Sequence, residues 1–355
     1  MDPPSSPASQ YSPEHVPFPS IEQFKKAVKE VKQYYKACGD VRPSTLPLRG
    51  TVKLHGTHAD IVHNGGLIHF QSRNRVLSKG KDGDNCGFVR FMEDEVTIPL
   101  IQESIIQPVI DVYTKINGTH PASVGPIMIA GEFCGAGIQK GVALSKLPLM
   151  FVIFAIKIDT TFQDMEQYKD IHLEEKSIYN IFRAGTFSLD LNMDDPQASV
   201  SELKSITDRV EKECPFAKTF GVSGTGEGVV WAFNHPSLIC RSRFYFKVKG
   251  EEHAGSRVVT LKEKSPEEIA ALRDAREFAR KALTDSRLRQ GLDYLKEMNL
   301  DSSLMQNISA YIKWVIDDVD KEEKEEMIQA NVDQSKLRSE LSKIAVGFYK
   351  SNLSS

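Results

Sequence analysis

A lysine that precedes a glycine turn begins an ordered set of charged motifs. Lys53 lies in Lys53-Leu54-His55-Gly56-Thr57, and three further segments follow in chain order: Gly131-Glu132-Phe133, Glu227-Gly228-Val229-Val230-Trp231 and Phe246-Lys247-Val248-Lys249-Gly250. Any one of them alone is a common surface pattern. Their combination and order favour covalent nucleotidyl transfer, in which the lysine amine attacks the α-phosphate of a nucleotide.

The chemistry explains these residue types. The attacking amine must lose its proton and meet a phosphate whose charge is neutralised, which requires nearby cations and a metal held by carboxylates. Lys247 and Lys249 alternate on a predicted strand, so they share a face. We therefore expect them to lower the pKa of Lys53 and to hold the α-phosphate. Glu132 and Glu227 supply hard oxygen ligands for Mg²⁺ or acceptors for a ribose.

Over residues 50–250, these motifs resemble those of ATP-dependent RNA ligases of the phage RNA ligase 2 and kinetoplastid RNA-editing ligase type, within the covalent nucleotidyltransferase superfamily. Those enzymes carry Lys-x-Asp-Gly or Lys-x-His-Gly, and His55 gives the second form, which is typical of the RNA branch. The resemblance implies that ATP leaves AMP on the lysine with Mg²⁺ or Mn²⁺. It also implies that the partners are RNA ends with a 5′-phosphate and a 3′-hydroxyl, as in RNA repair.

The resemblance also implies a role for each motif residue. Lys53 is the catalytic nucleophile, and Leu54 and His55 lie in the nucleotide-binding turn with it. Arg73 contacts the nucleotide or the 5′-phosphate end, and Glu132 holds the ribose. The remaining assignments are the metal-linked carboxylate Glu227 and the α-phosphate ligands Lys247 and Lys249.

The aromatic residue expected to stack on adenine is Phe154, and Phe151 is the alternative. Both lie in a continuous apolar run from Leu149 to Ile156, which is equally typical of a buried strand. Core packing therefore remains an interpretation for either phenylalanine.

Two positions depart from the family pattern. His58 replaces an asparagine, and Ala155 replaces an aspartate after the aromatic residue. If the usual asparagine binds the RNA 5′-phosphate, one ring N–H of His58 can substitute for it, with a dependence on pH. We expect His58 and Arg75, the latter in a basic cluster with Arg73, to contact the RNA substrate.

Composition indicates an intracellular protein of the cytoplasm or nucleus. The 355 residues are 40% hydrophobic and 26% charged, enough for about two domains. The five cysteines are scattered, which favours free thiols. No apolar run is long enough for a membrane span, and a monomer is expected. The net charge of −3 restricts any RNA-binding surface to local basic clusters.

The predicted organisation has three parts. Residues 1–20 form a Pro- and Ser-rich disordered tail, residues 21–264 an α+β adenylyltransferase domain built on antiparallel sheet, and residues 265–355 an all-α domain that begins at Ser265-Pro266-Glu267-Glu268. Within the catalytic domain, helical segments are expected at 89–114 and 164–182. The helical domain resembles that of RNA ligase 2-like enzymes, which implies a role in gripping RNA. The alternatives are a DNA ligase and a GTP-dependent capping-type nucleotidyltransferase.

Overall fold

The structure is a computed structural model that describes residues 13–80, 83–93, 95–250, 253 and 275–353. In chain order the strands are β1 (Glu22–Gln23), β2 (Thr45–Lys53), β3 (Thr57–Asn64), β4 (Leu67–Ser72), β5 (Ile127–Cys134), β6 (Met150–Ile158), β7 (Thr161–Phe162), β8 (Ile178–Asn180), β9 (Phe187–Asn192), β10 (Gly228–Phe233) and β11 (Tyr245–Lys249). The helices are α1 (Phe24–Cys38), α2 (Phe88–Met92), α3 (Thr97–Ile101), α4 (Gln107–Asn117), α5 (Val200–Lys212), α6 (Pro215–Lys218), α7 (Ala275–Ala282), α8 (Asp285–Glu297), α9 (Ile308–Glu322), α10 (Lys324–Gln329) and α11 (Gln334–Leu353).

Two sheets hold the motif residues. One has the strand order β1-β11-β10-β2-β9, and the other has the order β4-β3-β5-β6-β7 with β8 beside β6. Neighbouring strands are antiparallel except for the pairs β1–β11 and β6–β8. The predicted α+β class with antiparallel sheet is therefore confirmed.

Each sheet has its own hydrophobic core. Leu46, Leu48 and Val52 alternate along β2 and are buried, so they face the core that α1 and α5 cover. The second sheet packs against α2, α3 and α4, where Ile101 and Val109 are fully buried.

The C-terminal helices share a separate core. Tyr311, Val315 and Val319 of α9 are fully buried there, as are Leu341 and Ala345 of α11. The predicted boundary at 264/265 and the predicted helix start at 265–268 lie outside the described residues, so the domain limits stay a prediction. None of the helices among the residues that the structure describes has the length and apolarity to cross a lipid bilayer.

Two local predictions are wrong. The expected helical segment at 164–182 is broken into short 3₁₀ turns around β8, because the Asn180 amide donates to the carbonyl oxygens of Tyr168 and Ile171 while β8 pairs with β6. The predicted disordered tail includes residues 13–20, which instead make specific contacts with the second sheet. For example, the Val16 N–H donates to Gln71 Oε1 at 2.9 Å.

Candidate active site

Three adjacent strand ends bring the charged motifs together. Gly228, the first residue of β10, lies opposite Lys53 on β2 and opposite Lys249 on β11. Glu227, the residue just before this strand, therefore lies between the two lysines. Gly228 has φ +152°, and a Cβ at this position would lie 2.2 Å from the carbonyl oxygen of Val248. Only glycine permits this close approach of β10 to β11.

One buried carboxylate connects two lysines. Lys53 Nζ donates to Glu227 Oε2 at 2.7 Å, and Lys249 Nζ lies 3.0 Å from Glu227 Oε1. His55 Nδ1 lies 3.5 Å from the first of these oxygens. The Glu227 side chain is only 2% exposed. The carboxylate is thus shielded from water and depends on these cations for its charge compensation.

The pKa shifts correct one expectation. Burial acts to lower the pKa of Lys53, but the carboxylates Glu227 and Glu132 outweigh it, so the pKa lies above its ordinary value. The predicted lowering of this pKa by Lys247 and Lys249 is therefore wrong for the protein without nucleotide. The lysine whose pKa is lowered is instead Lys249, because it is buried and lies near the charges of Lys53 and Lys247. Burial acts to raise the pKa of Glu227, but Lys53 and Lys249 outweigh it and hold it well below its usual range.

Glu132 fixes the turn that follows Lys53. The Gly56 N–H donates to Glu132 Oε1 at 2.8 Å, and β5 places Glu132 opposite His58 of β3. Burial raises the pKa of Glu132, against the effect of Lys53. The carboxylate that was predicted to bind a ribose therefore holds the Lys53 turn in this structure.

A cavity of about 500 Å³ contains the predicted site. It is lined by most of the predicted residues: Lys53, Leu54, His55, His58, Arg73, Glu132, Phe154, Glu227, Lys247 and Lys249. Arg75 is not among them, because its guanidinium donates to the carbonyl oxygens of Gly83 and Asp84 and so anchors a loop. The expectation that Arg75 contacts substrate has no support from this geometry.

The two candidate phenylalanines have different surroundings. Phe151 is fully buried, and its ring centroid lies 5.2 Å from that of Phe88 in the second core. Phe154 is partly exposed and lines the cavity. Of the two, only Phe154 is placed to contact a ligand in the cavity.

Two site cations have partners that the sequence did not predict. Arg73 Nη2 donates to Ser20 Oγ at 2.9 Å. Lys247 Nζ donates to Glu322 Oε1 at 3.3 Å, and the other oxygen of Glu322 accepts from Gln23 Nε2 at 2.7 Å. The N-terminal segment and α9 therefore both contribute to the walls of the cavity.

Sequence reasoning missed these wall residues for identifiable reasons. The Pro- and Ser-rich composition of residues 1–20 indicated disorder, although Phe18 between two prolines was an apolar exception. Glu322 lies within the charge run 321–326, a pattern that usually indicates a solvated helix surface. Its contact with Lys247 depends on the packing of α9, which no local pattern encodes.

The donor set fits a cation that shares its ligands with a nucleotide. Among the residues that the structure describes, no group of three or more His, Cys, Asp and Glu side chains is arranged to hold a metal. Mg²⁺ commonly takes one or two carboxylates from the protein and completes its coordination with phosphate oxygens and water. Glu227, a deprotonated carboxylate lining the cavity, fits that limited role.

Several solved structures are similar to this chain. Three variants of a Naegleria gruberi RNA ligase are among the similar solved structures. Two of them, solved with AMP and Mn, have TM-scores of 0.39 and 0.41 with 13% and 12% identity, and cover 66% and 68% of this chain. A third, with ATP and Mn, has a TM-score of 0.39, 13% identity and 66% coverage.

This chain spans less than two thirds of the Naegleria protein, since the matches cover 56%, 58% and 56% of those chains, respectively. No curated protein sequence matches significantly. The sequence profile of the RNA ligase family matches residues 47–249, which is more than half of the chain and extends from β2 to the end of β11. The chain therefore belongs to the RNA ligase family.

Proposed function

We propose that the protein is an ATP-dependent RNA ligase that joins a 5′-phosphate to a 3′-hydroxyl through a covalent lysyl-AMP. The contact between Lys53 and Glu227, with Lys249 on the other carboxylate oxygen, supports this proposal most strongly. It supports the proposal because the Lys53 amine lies close to the Lys249 cation in a cavity of nucleotide size, as attack on a bound phosphate would require. All three residues lie within the part of the chain that matches the family profile.

The reaction has three balanced steps. Lys53 Nζ attacks the α-phosphorus of ATP, so a phosphorus–nitrogen bond forms, the bond to the pyrophosphate oxygen breaks and the amine loses a proton. A 5′-phosphate oxygen of RNA then attacks the same phosphorus, the phosphorus–nitrogen bond breaks, and the released lysine amine regains a proton. Finally a 3′-hydroxyl attacks the RNA 5′-phosphorus, forms the phosphodiester and releases AMP and a proton.

The residues of this chain prepare the first step. Lys53 is held in place by Glu227, and the raised pKa of Lys53 means that its amine is stored in the protonated form. Lys249 and Arg73 line the same cavity and can neutralise phosphate charge. Phe154 provides an aromatic face for the base.

Mg²⁺ or Mn²⁺ would be held by Glu227 together with nucleotide phosphates. Such a cation supplies neutralisation of phosphate charge and in-line positioning of the leaving group. When Glu227 shares its charge with such a cation, its interaction with Lys53, which raises the pKa of the lysine, would weaken.

Joining assays on defined ends test the proposal. Purified protein is incubated with ATP and Mg²⁺ and a panel of 5′-phosphorylated RNA and matched DNA strands, with GTP in a parallel series. We expect ATP-dependent joining of RNA, and no joining by Lys53→Ala. Preferential joining of DNA would indicate a DNA ligase, and protein labelling by GTP alone would indicate a capping-type enzyme. Either result would contradict the proposal.

The helical domain is proposed to position RNA ends. Its Glu297 accepts a 3.3 Å hydrogen bond from the Thr57 hydroxyl beside the nucleophile turn, so the domain reaches the reaction centre. A variant that ends before residue 265 should retain lysine adenylylation better than it retains sealing. Equal loss of both activities would contradict this division.

A further inference from the structure

Residues 13–20 form an N-terminal strap that is anchored to the second sheet. The Val16 N–H donates to Gln71 Oε1 at 2.9 Å, and Gln71 Nε2 donates to the Val16 carbonyl oxygen at 2.7 Å. Gln71 is fully buried on β4. Because one amide side chain satisfies both backbone groups of Val16, the strap has a defined position rather than a loose contact.

The anchor continues toward the residue next to the nucleophile turn. Gln71 Nε2 also donates to Asp60 Oδ2 at 2.8 Å, and Asp60 Oδ1 lies 2.8 Å from His58 Nε2. Asp60 is fully buried, so its charge requires such partners. Asp60 therefore lies between Gln71, which anchors the strap, and the unusual residue His58.

Further contacts hold the segment on both sides of Phe18. Lys157 Nζ donates to the Pro17 carbonyl oxygen at 3.1 Å, and Arg73 donates to the Ser20 hydroxyl at 2.9 Å. Phe18 is flanked by two prolines, and the ring of each proline fixes its own φ within a narrow range. Together these constraints direct the Phe18 ring into the cavity, which it lines.

Phe18 and Phe154 form an aromatic corner. Their ring centroids are 5.7 Å apart and their planes meet at 79°, while the Phe18 ring lies 4.7 Å from that of His58. A base cannot lie flat against both phenylalanine rings, because the planes of the rings meet at 79°. Because the two planes are nearly perpendicular, a planar base can lie flat against one ring with its edge toward the other.

We propose that Phe18 is a nucleobase-binding residue and that the N-terminal strap forms one wall of the base site. The ligand is the purine base of the nucleoside triphosphate that reacts with Lys53, so the inference rests on the proposed function. The strap thereby belongs to the nucleotide site, although it precedes the residues that match the family profile.

Substitutions in the full-length chain test the role of the ring. Phe18→Leu keeps an apolar side chain and removes the aromatic face, whereas Phe18→Tyr keeps the ring. Initial rates of AMP attachment are measured by intact mass over a range of ATP concentrations. They give the half-saturating ATP concentration, here called KM, and the maximal rate constant of attachment, here called kcat. Phe18→Leu should raise the KM for ATP by about tenfold, within the range expected for one base–aromatic contact. Its kcat should change by less than about twofold, as for a loss of ground-state binding.

Two controls separate binding from folding. Phe18→Tyr should keep the KM of the unsubstituted protein. Phe91→Leu, a partly buried phenylalanine that packs in the second core and does not line the cavity, should also leave KM unchanged. The melting temperature of each variant without ATP reports any loss of stability.

Several outcomes would overturn the inference. An unchanged KM for Phe18→Leu would show that the ring does not contact the base, including the case in which only the melting temperature falls. A lowered KM would show that the strap obstructs the site. A failure of the proposed function is distinguished by the effect of ATP on the melting temperature. If the unsubstituted protein acquires no AMP, an ATP-induced rise in its melting temperature that Phe18→Leu lacks would still support the base site, and its absence would refute it.

Discussion

At the scale of single residues, Glu227 contacts two lysines whose pKa values shift in opposite directions, although its charge acts to raise both. At Lys53, Glu227 and Glu132 outweigh burial and raise the pKa. At Lys249, burial and the charges of Lys53 and Lys247 outweigh Glu227 and lower the pKa. In the proposed reaction, a nucleotide phosphate that enters the cavity would meet both cations beside one carboxylate. The contact between Lys53 and Glu227 would then have to rearrange before the amine could attack.

The aromatic pair on β6 gives a prediction at this scale. Phe151→Ala removes a fully buried ring and should lower the free energy of unfolding by about 3–5 kcal/mol. Phe154→Ala should instead raise the KM for ATP, by the loss of about 1–3 kcal/mol of base stacking. Chemical denaturation and AMP-attachment kinetics on both variants measure the two effects. If Phe151→Ala raised the KM at unchanged stability, the assignment of Phe154 would fail.

At the scale of elements, the register of β2, β10 and β11 determines the site. Gly228 faces Lys53 and Lys249 in adjacent strand pairs, so a shift of one residue would turn the side chains to the opposite face. The glycine is required by the close contact with Val248 described above.

Gly228→Ala should therefore reduce both stability and AMP attachment. We expect a loss of at least about 1–3 kcal/mol from backbone strain, with more from the overlap. Gly141→Ala is a matched control, because Gly141 also has a positive φ of +79° but has nothing within 4 Å of an added Cβ. Equal effects of the two substitutions on unfolding and on AMP attachment would contradict the importance of the strand contact.

The sequence predicted features that depend on local patterns. Strand β6 follows the continuous apolar run from Leu149 to Ile156, and the order of charged motifs predicted that Lys53, Glu227 and Lys249 lie together. The segment 164–182 was wrong because the Asn180 hydrogen bonds and the pairing of β8 override local helix preference. Phe18 and Glu322 were missed because their contacts depend on residues far along the chain.

At the scale of the whole molecule, the C-terminal helices close one side of the cavity. Glu322 binds Lys247, Glu297 binds the Thr57 hydroxyl, and Glu325 Oε1 accepts a 3.0 Å contact from Lys29 of α1. The carboxylate of Glu322 thus pairs with Lys247, the lysine that the family resemblance assigns to binding of the α-phosphate. Under the proposed function, nucleotide binding and helix packing would compete for this lysine.

Glu322→Gln should weaken that competition. The initial rate of AMP attachment at low ATP concentration should rise by about two- to fivefold, which corresponds to about 0.5–1 kcal/mol of ion pairing. Glu340→Gln is the control, since Glu340 pairs with Lys343 on the same helix and does not line the cavity. A rate for Glu322→Gln equal to or below that of the unsubstituted protein would contradict the competition.

A pH dependence follows from Glu297. Burial raises its pKa to about 7, with Glu132 adding to the effect, while His58, the Thr57 hydroxyl and Arg73 oppose it. The folded protein therefore holds a proton that the unfolded chain releases near the ordinary value of 4.5. This contribution to stability is present at low pH and is lost as pH rises through about 7.

Glu297→Gln should remove that dependence. Relative to the unsubstituted protein, its melting temperature should increase as the pH is raised from about 5 to about 8 at constant ionic strength. A difference in melting temperature that stays constant over this range would show that Glu297 does not titrate in it.

The central claim is that the Lys53 amine becomes covalently bound to AMP. Intact-mass spectrometry after incubation with ATP and Mg²⁺, followed by peptide mapping, tests it directly. We expect each chain to gain one AMP on Lys53, and we expect no gain in Lys53→Ala. No gain in mass, or AMP located on another side chain, would contradict it.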